Sequence, residues 1–173
     1  MIWYELKRAQ VLPISRDKAW DFFSDPRNLS RITPPWLGLA ITGDPPSRIY
    51  AGLIIPYDVT PLLSIKTRWL TEITHVQEPD LFVDEQRLGP YRFWHHQHRF
   101  RVVEGGVEVS DEVHYALPWG PFGRFANALF VRRNLEKIFL YRERVLTEIF
   151  NASNADSESL SIAATHEDLG HVA

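Results

Sequence analysis

The sequence predicts an α+β fold, in which a curved antiparallel sheet of six to seven strands wraps around one long C-terminal helix. Three observations predict it: an extended helical pattern from Pro121 to Phe150, roughly ninety preceding residues without helical periodicity, and two short helical segments after the first strand. A helix of roughly 30 residues would be about 45 Å long, too long to hide inside a chain of 173 residues. It must therefore lie across a broad sheet.

Composition and charge restrict the class of protein. The length favours a single domain, expected over residues 1–150, and the polar segment 151–173 is expected to form a flexible tail. A net charge of −3 gives no strong attraction to nucleic acid, and the absence of cysteine excludes disulfides and thiolate chemistry. Since no signal peptide or membrane-spanning run is present, we expect a cytoplasmic protein without stable membrane insertion.

The N-terminal elements follow from capping signals. Residues 3–12 read as a strand, and Ser15 is a suitable N-cap for a short helix. Asp25 and Pro26 provide a cap and a first helical residue for a second short helix that ends near Arg31. The remaining strands are expected at residues 36–42, 49–59, 63–75, 81–88, 91–103 and 107–117.

The C-terminal helix has one apolar face. A helical wheel places the following apolar residues on one side: Ala128, Val131, Leu135, Ile138, Phe139, Val145, Leu146 and Ile149. Arg142 falls inside this stripe, Arg132 falls at its border, and Asn151 is a plausible end of the helix. The two arginines could extend past apolar neighbours into water, or point into a cavity near Phe139.

Two hairpins indicate which strand face points inward. In residues 91–103 the even positions are Arg92, Trp94, His96, His98, Phe100 and Val102, and these form the predicted interior face. If Gly105 and Gly106 form a two-residue loop, Phe100 opposes Asp111, His98 opposes Val113 and His96 opposes Tyr115. The same reasoning through Gly89 and Pro90 places Glu85 opposite Trp94, Val83 opposite His96 and Arg87 opposite Arg92.

This register directs many polar groups toward the helix. They are Glu85, Arg87, Arg92, His96, His98, Asp111 and Tyr115. A dry core rarely holds so many, because each unpaired buried polar group costs about 1–3 kcal/mol. The pattern therefore predicts a wet cavity, and a one-residue slip in register would turn the whole set outward.

Three strings carry a family resemblance: GPYRFWHHQHRF at residues 89–100, Asp111-x-Val113-x-Tyr115-x-Leu117-Pro118-x-Gly120, and Ile138-Phe139-x-Tyr141-Arg142. Over residues 1–150 the chain is similar to the SRPBCC or START-like superfamily. It most resembles an uncharacterised bacterial ligand-binding SRPBCC group, also labelled cyclase/dehydrase-like. The resemblance implies a helix-grip fold with a deep apolar cavity. The superfamily includes lipid and sterol carriers, quinone-binding proteins, polyketide cyclases and co-chaperones, so it implies a container and no particular content.

The histidine run offers the most chemistry. His96 and His98 share a strand face, with Asp111 near His98, a pattern that could ligate a metal or act as a general acid and base. A metal normally requires three or more protein ligands, so we expect none, and no cofactor. These three residues remain the catalytic candidates for a cyclase- or dehydratase-like enzyme, and whether the protein is an enzyme stays open.

Ligand binding is the leading expectation. The partner would be a lipophilic small molecule, aromatic or isoprenoid- or lipid-like, held by a carrier or sensor between sheet and helix. The expected contact residues are Trp69, Glu85, Arg87, Arg92, Trp94, His96, His98, Phe100, Tyr115, Phe139 and Arg142. The alternatives are the enzyme and an interaction module without a physiological ligand, in which the cavity would be small or filled by side chains.

Overall fold

A computed structural model describes residues 3–62, 65–118 and 130–167. The strands are β1 (Tyr4–Leu12), β2 (Ala40–Ile41), β3 (Ile54–Leu62), β4 (Ile65–Gln77), β5 (Leu81–Leu88), β6 (Phe93–Val103) and β7 (Gly106–Ala116). The α-helices are α1 (Arg16–Phe23) and α2 (Arg132–Glu167), and two 3-10 helices cover Pro26–Ile32 and Pro35–Leu37.

The seven strands form one antiparallel sheet in the order β1-β7-β6-β5-β4-β3-β2. From β2 to β7 each strand pairs with its neighbour in sequence, and β1 joins the far edge beside β7. The predicted α+β class is confirmed, with a curved sheet, short helical elements after the first strand and one long C-terminal helix. A third short element, the 3-10 helix Pro35–Leu37, follows the two that were predicted.

The N-terminal caps occur as predicted. Ser15 accepts a hydrogen bond from the Lys18 amide at 3.2 Å, and Asp25 accepts one from the Arg27 amide at 3.0 Å. The predicted strand over residues 36–42 is mostly wrong, because its first residues lie in the 3-10 helix Pro35–Leu37, which ends at Gly38 in the left-handed conformation (φ 56°). Only Ala40 and Ile41 pair with β3.

Helix α2 buries the predicted stripe against the sheet. Of the predicted stripe, Leu135, Phe139 and Leu146 are buried, Val131 is buried just before the helix, and Ile138, Val145 and Ile149 are half-buried. Ala128 lies outside the described residues, and Phe150, which was not predicted to lie in the stripe, is also buried. The predicted start at Pro121 lies outside the described residues. The predicted end at Asn151 is wrong, because helical backbone continues to Glu167. Within the part of the chain that the structure describes, no helix combines the length and apolar character needed to cross a membrane.

The β6–β7 register differs from the predicted one by two residues. The loop consists of Glu104 and Gly105, so Val103 pairs with Gly106. Gly105 adopts a positive φ of 84°, which a glycine tolerates without strain. The predicted pairing of His98 with Val113 is therefore wrong, and His98 lies opposite Asp111. Because side chains alternate with period two, this slip leaves the inward face unchanged.

The β5–β6 register differs by one residue, and here the face does change. The connection is longer than Gly89-Pro90, since β5 ends at Leu88 and β6 begins at Phe93. The Gln86 side chain bridges it, donating to the Tyr91 carbonyl at 2.7 Å and accepting from the Tyr91 amide at 3.2 Å. Asp84, rather than Val83, therefore lies opposite His96, and Glu85 lies opposite His95.

Candidate functional site

A cavity of about 190 Å³ lies between the inner face of the sheet, the N-terminal helical elements and α2. Most of its lining is apolar and aromatic, contributed by Phe22, Phe23, Leu29, Ile32, Ile49, Ile55, Tyr57, Val59, Trp69, Ile73, Phe82, Tyr91, Trp94, Leu135, Ile138 and Phe139. Asp84, His96, His98 and Arg142 form a polar patch in this wall, and Asp25, which pairs with Arg27, is a further charged lining residue. The combination of an apolar chamber with one polar patch is typical of small-molecule sites.

The polar patch is built on a ring of two carboxylates and two imidazoles, which we call the inner cluster: Asp84, His96, His98 and Asp111. Asp84 Oδ2 lies 2.9 Å from His98 Nε2 and 3.2 Å from His96 Nδ1. Asp111 Oδ1 lies 2.9 Å from His96 Nε2. It is also 2.9 Å from His98 Nδ1, although that nitrogen is not aligned for a hydrogen bond. Each imidazole therefore contacts both carboxylates, and the two ring centroids are 3.8 Å apart.

Burial makes the pairing within the inner cluster strong. Burial alone lowers the pKa of His96, but the carboxylates of Asp84 and Asp111 outweigh it and raise that pKa to about 9. In return, burial favours protonation of both carboxyls, while the imidazoles hold the pKa of Asp84 and of Asp111 well below the usual range. At neutral pH the His96 ring is therefore a cation between two carboxylates.

Arg142 adds a guanidinium to this patch from α2, on the opposite wall of the cavity. It is 8% exposed, and its guanidinium carbon lies 4.9 Å from the centroid of the Phe139 ring. Nη1 is 3.8 Å from Asp111 Oδ1, too far for a hydrogen bond, and neither Nε nor Nη1 has an acceptor in the part of the chain that the structure describes. Arg142 therefore points inward, whereas Arg132 is exposed and pairs with Glu136 at 3.1 Å.

Six predicted contact residues line the cavity: Trp69, Trp94, His96, His98, Phe139 and Arg142. Phe100 and Tyr115 face inward as expected but are buried in the core beside the cavity. Asp111 is buried behind the histidines and touches them both, although the sequence had paired it with Phe100.

Three predicted contact residues lie elsewhere. Glu85 and Arg87 are on the outer face, where Glu85 accepts from His95 Nδ1 at 2.8 Å and Arg87 pairs with Glu72 and Glu85. The cause is the one-residue shift in β5, which turned this strand over. Arg92 lies in the β5–β6 connection and is exposed.

Asp84 and Tyr57 line the cavity but were not predicted to do so from the sequence. Asp84 would have been predicted with the correct β5 register. The sequence signal for that register was weak, because Gly89 and Pro90 mark a turn but allow a loop longer than two residues. Tyr57 lies on β3, directly after Pro56. Burial and the Asp84 carboxylate raise the pKa of Tyr57, so its phenol remains a neutral O–H in the cavity wall.

Two groups among the described residues could supply three metal ligands each. Asp84, His96 and His98 converge in the cavity, and Glu5, Glu112 and His114 converge on the outer face. In the first group the carboxylate oxygen and ring nitrogens already share protons at 2.9–3.2 Å. In the second, Lys7 neutralises both carboxylates, at 3.0 Å from Glu5 and 3.5 Å from Glu112. In both groups the carboxylates therefore already have hydrogen-bonding or cationic partners within the protein.

Comparison with known proteins identifies the architecture. No protein-family model matches the sequence, and no curated protein matches it. Among solved structures, ginseng major latex-like protein 151 from Panax ginseng is similar with a TM-score of 0.60 at 10% identity, over 87% of this chain and 99% of that one. This chain has a helix-grip fold. The protein Ara h 8.0201 matches with a TM-score of 0.55 at 11% identity, over 84% of this chain and 98% of that one.

A bacterial structure of the same helix-grip architecture comes from Thermus thermophilus. It matches with a TM-score of 0.64 at 17% identity, over 87% of this chain and 99% of that one. Structural similarity at such low sequence identity establishes the fold and does not identify a ligand.

Proposed function

We propose that this helix-grip protein binds a lipophilic small molecule in the cavity between the sheet and α2, as a carrier or sensor. The observation that carries the proposal is the cavity of about 190 Å³ with a mostly aromatic and aliphatic wall. An apolar void of roughly 150 Å³ in a protein core already accepts benzene. An interaction module without a ligand would have no reason to maintain such a space, because unfilled volume costs stability.

The inner cluster favours binding over proton-transfer catalysis. A general base must be neutral near pH 7, but the two carboxylates raise the pKa of His96 to about 9 and keep its ring protonated. Both of its nitrogens are also engaged, at 2.9 Å with Asp111 and 3.2 Å with Asp84. Such a ring serves better as a fixed polar patch that orients one end of a ligand than as the base of a cyclase or dehydratase.

Blocking the cavity tests this proposal. Thr71 is a buried β4 residue that lines the cavity, whereas His75, on the same strand, is exposed. A fluorescence titration with the neutral lipophile N-phenyl-1-naphthylamine should show saturable binding to the wild type. T71F should weaken binding about tenfold or more by filling the space, and H75F should leave it unchanged.

Folding and natural ligands provide the controls. Circular dichroism and a thermal melt verify that T71F retains the fold, since overpacking a core costs about 1–3 kcal/mol. Native mass spectrometry of protein purified from its own host should show a co-purified lipophile that denaturation releases. A wild type that neither binds the probe nor carries such a mass would contradict the proposal.

A further inference from the structure

The guanidinium of Arg142 is a buried cation, and two of its three nitrogens have no hydrogen-bond acceptor among the described residues. The side chain is 10% exposed and lines the cavity, and the two nitrogens without a partner there are Nε and Nη1. Burying a guanidinium without acceptors is costly, because its hydration is lost and nothing replaces it. On a helix whose other inward residues are apolar, this arginine needs an acceptor that the cavity does not itself provide.

The nearby carboxylates are already occupied. Asp84 is held by His98 at 2.9 Å and by His96 at 3.2 Å, and Asp111 by His96 at 2.9 Å. The closest approach to the guanidinium is 3.8 Å, from Asp111 to Nη1. The inner cluster therefore pairs with itself and leaves Arg142 Nε and Nη1 without an acceptor among the described residues.

We infer that Arg142 binds the carboxylate of a lipophilic carboxylic acid whose apolar part fills the cavity, an inference that rests on the proposed binding function. A guanidinium is the side chain best suited to a planar carboxylate, and charge-assisted hydrogen bonds of this kind are short and strong. Phe139, 4.9 Å from the guanidinium carbon, and the lining residues Leu135, Ile138 and Trp94 make the surroundings apolar.

Competition between matched amphiphiles tests the inference. Dodecanoate and dodecan-1-ol have the same chain length and differ in the charge of the head group, and each can displace bound N-phenyl-1-naphthylamine. The wild type should prefer dodecanoate by about tenfold or more, as expected for a charge-assisted hydrogen bond in a buried site. R142L should lose this preference while it retains the affinity for dodecan-1-ol.

A matched variant controls for the loss of charge. Arg144 lies two residues further along α2, is 67% exposed and forms an ion pair with Glu148 at 3.7 Å. R144L therefore removes the same charge from the same helix outside the cavity, and should keep the preference for dodecanoate. If R142L does not fold, R142Q, which keeps a polar side chain without charge, replaces it in the same comparison.

The outcomes separate the two proposals. A wild type that fails to bind the neutral probe overturns the proposed function and this inference with it. A wild type that binds the probe but takes up dodecan-1-ol as tightly as dodecanoate overturns the carboxylate site alone. The same holds if R142L or R142Q keeps the full preference for dodecanoate, or if R144L loses it.

Discussion

Two clusters of acidic and basic side chains lie back to back on the same strands. The inner cluster contains Asp84 and His96, and the outer cluster, on the other face, consists of Glu72, Glu85, Arg87 and His95. Asp84 and Glu85 are adjacent in sequence, as are His96 and His95, and each acid accepts from its histidine across the same strand pair. The chemistry is alike, but the surroundings differ.

The difference teaches what burial adds to an ion pair. The side chain of His96 is 6% exposed, whereas that of Arg87 in the outer cluster is 45% exposed. In the outer cluster the side chains of Arg87, Glu72 and Glu85 are 45%, 27% and 24% exposed, so water partly solvates these charges and pairing gains less. In the inner cluster each charge depends on its partners, because an unpaired charge cannot be hydrated there. A shift of one position along a strand therefore decides whether an acid–histidine pair is important for stability or contributes little to it.

The largest expected contrast follows from removing one carboxylate from each cluster. D111N should destabilise the protein by about 3–5 kcal/mol at pH 7, because the His96 cation would lose a buried partner. E85Q should cost less than about 1 kcal/mol, because Arg87 and His95 remain partly solvated. Urea unfolding curves of the two variants give both values, and similar costs would refute the distinction between the clusters.

The sequence predicted the inward face of β6 but not the complete inner cluster. Alternation alone placed His96 and His98 inside, because only that parity also buries Trp94 and Phe100. A register shift of two residues leaves every side chain on the same face of the sheet. The wrong β6–β7 register therefore still directed Asp111 inward. The β5 face depended instead on the length of one connection, and a single extra residue exchanged Glu85 for Asp84.

The features that sequence could not supply are those set by tertiary packing. The stripe on α2 was visible as a helical pattern, yet whether Arg142 points to water or inward depends on the depth of the space beneath it. The continuation of the helix beyond Asn151 could not be predicted from an apolar face, because residues 152–167 are largely polar. Local patterns thus determined faces and elements, and the site emerged only from their assembly.

A smaller effect should appear when the pH is raised. The pKa of His96 is raised from 6.5 to about 9 by folding, so its contribution to stability is complete below pH 6.5 and is lost as the pH rises through about 9. The free energy of unfolding should fall by about 3 kcal/mol across this window, given about 1.4 kcal/mol per pKa unit. The titratable and charged groups around the ring are Asp84, Asp111, His98 and Arg142.

Unfolding measured at several pH values gives this slope, and an NMR titration of the imidazole resonances assigns it. H95Q, which removes the outer ring, should leave the slope intact, because that ring lies against Glu85 on the other face. A stability that is flat from pH 6.5 to about 9, or a His96 ring that is neutral at pH 7, would contradict the buried pairing.

The smallest effect belongs to the outer cluster and should respond to salt. Arg87 contacts Glu72 and Glu85, but its side chain is 45% exposed, so R87A should cost less than about 1 kcal/mol. In about 1 M NaCl that cost should disappear, because the screening length falls to about 3 Å, whereas the cost of D111N should persist because buried pairs are screened much less. Urea unfolding at low and high salt measures both. A salt-independent cost of about 2 kcal/mol for R87A would mean that the outer face is desolvated in solution, for example by a partner surface, and that exposure alone does not separate the two clusters.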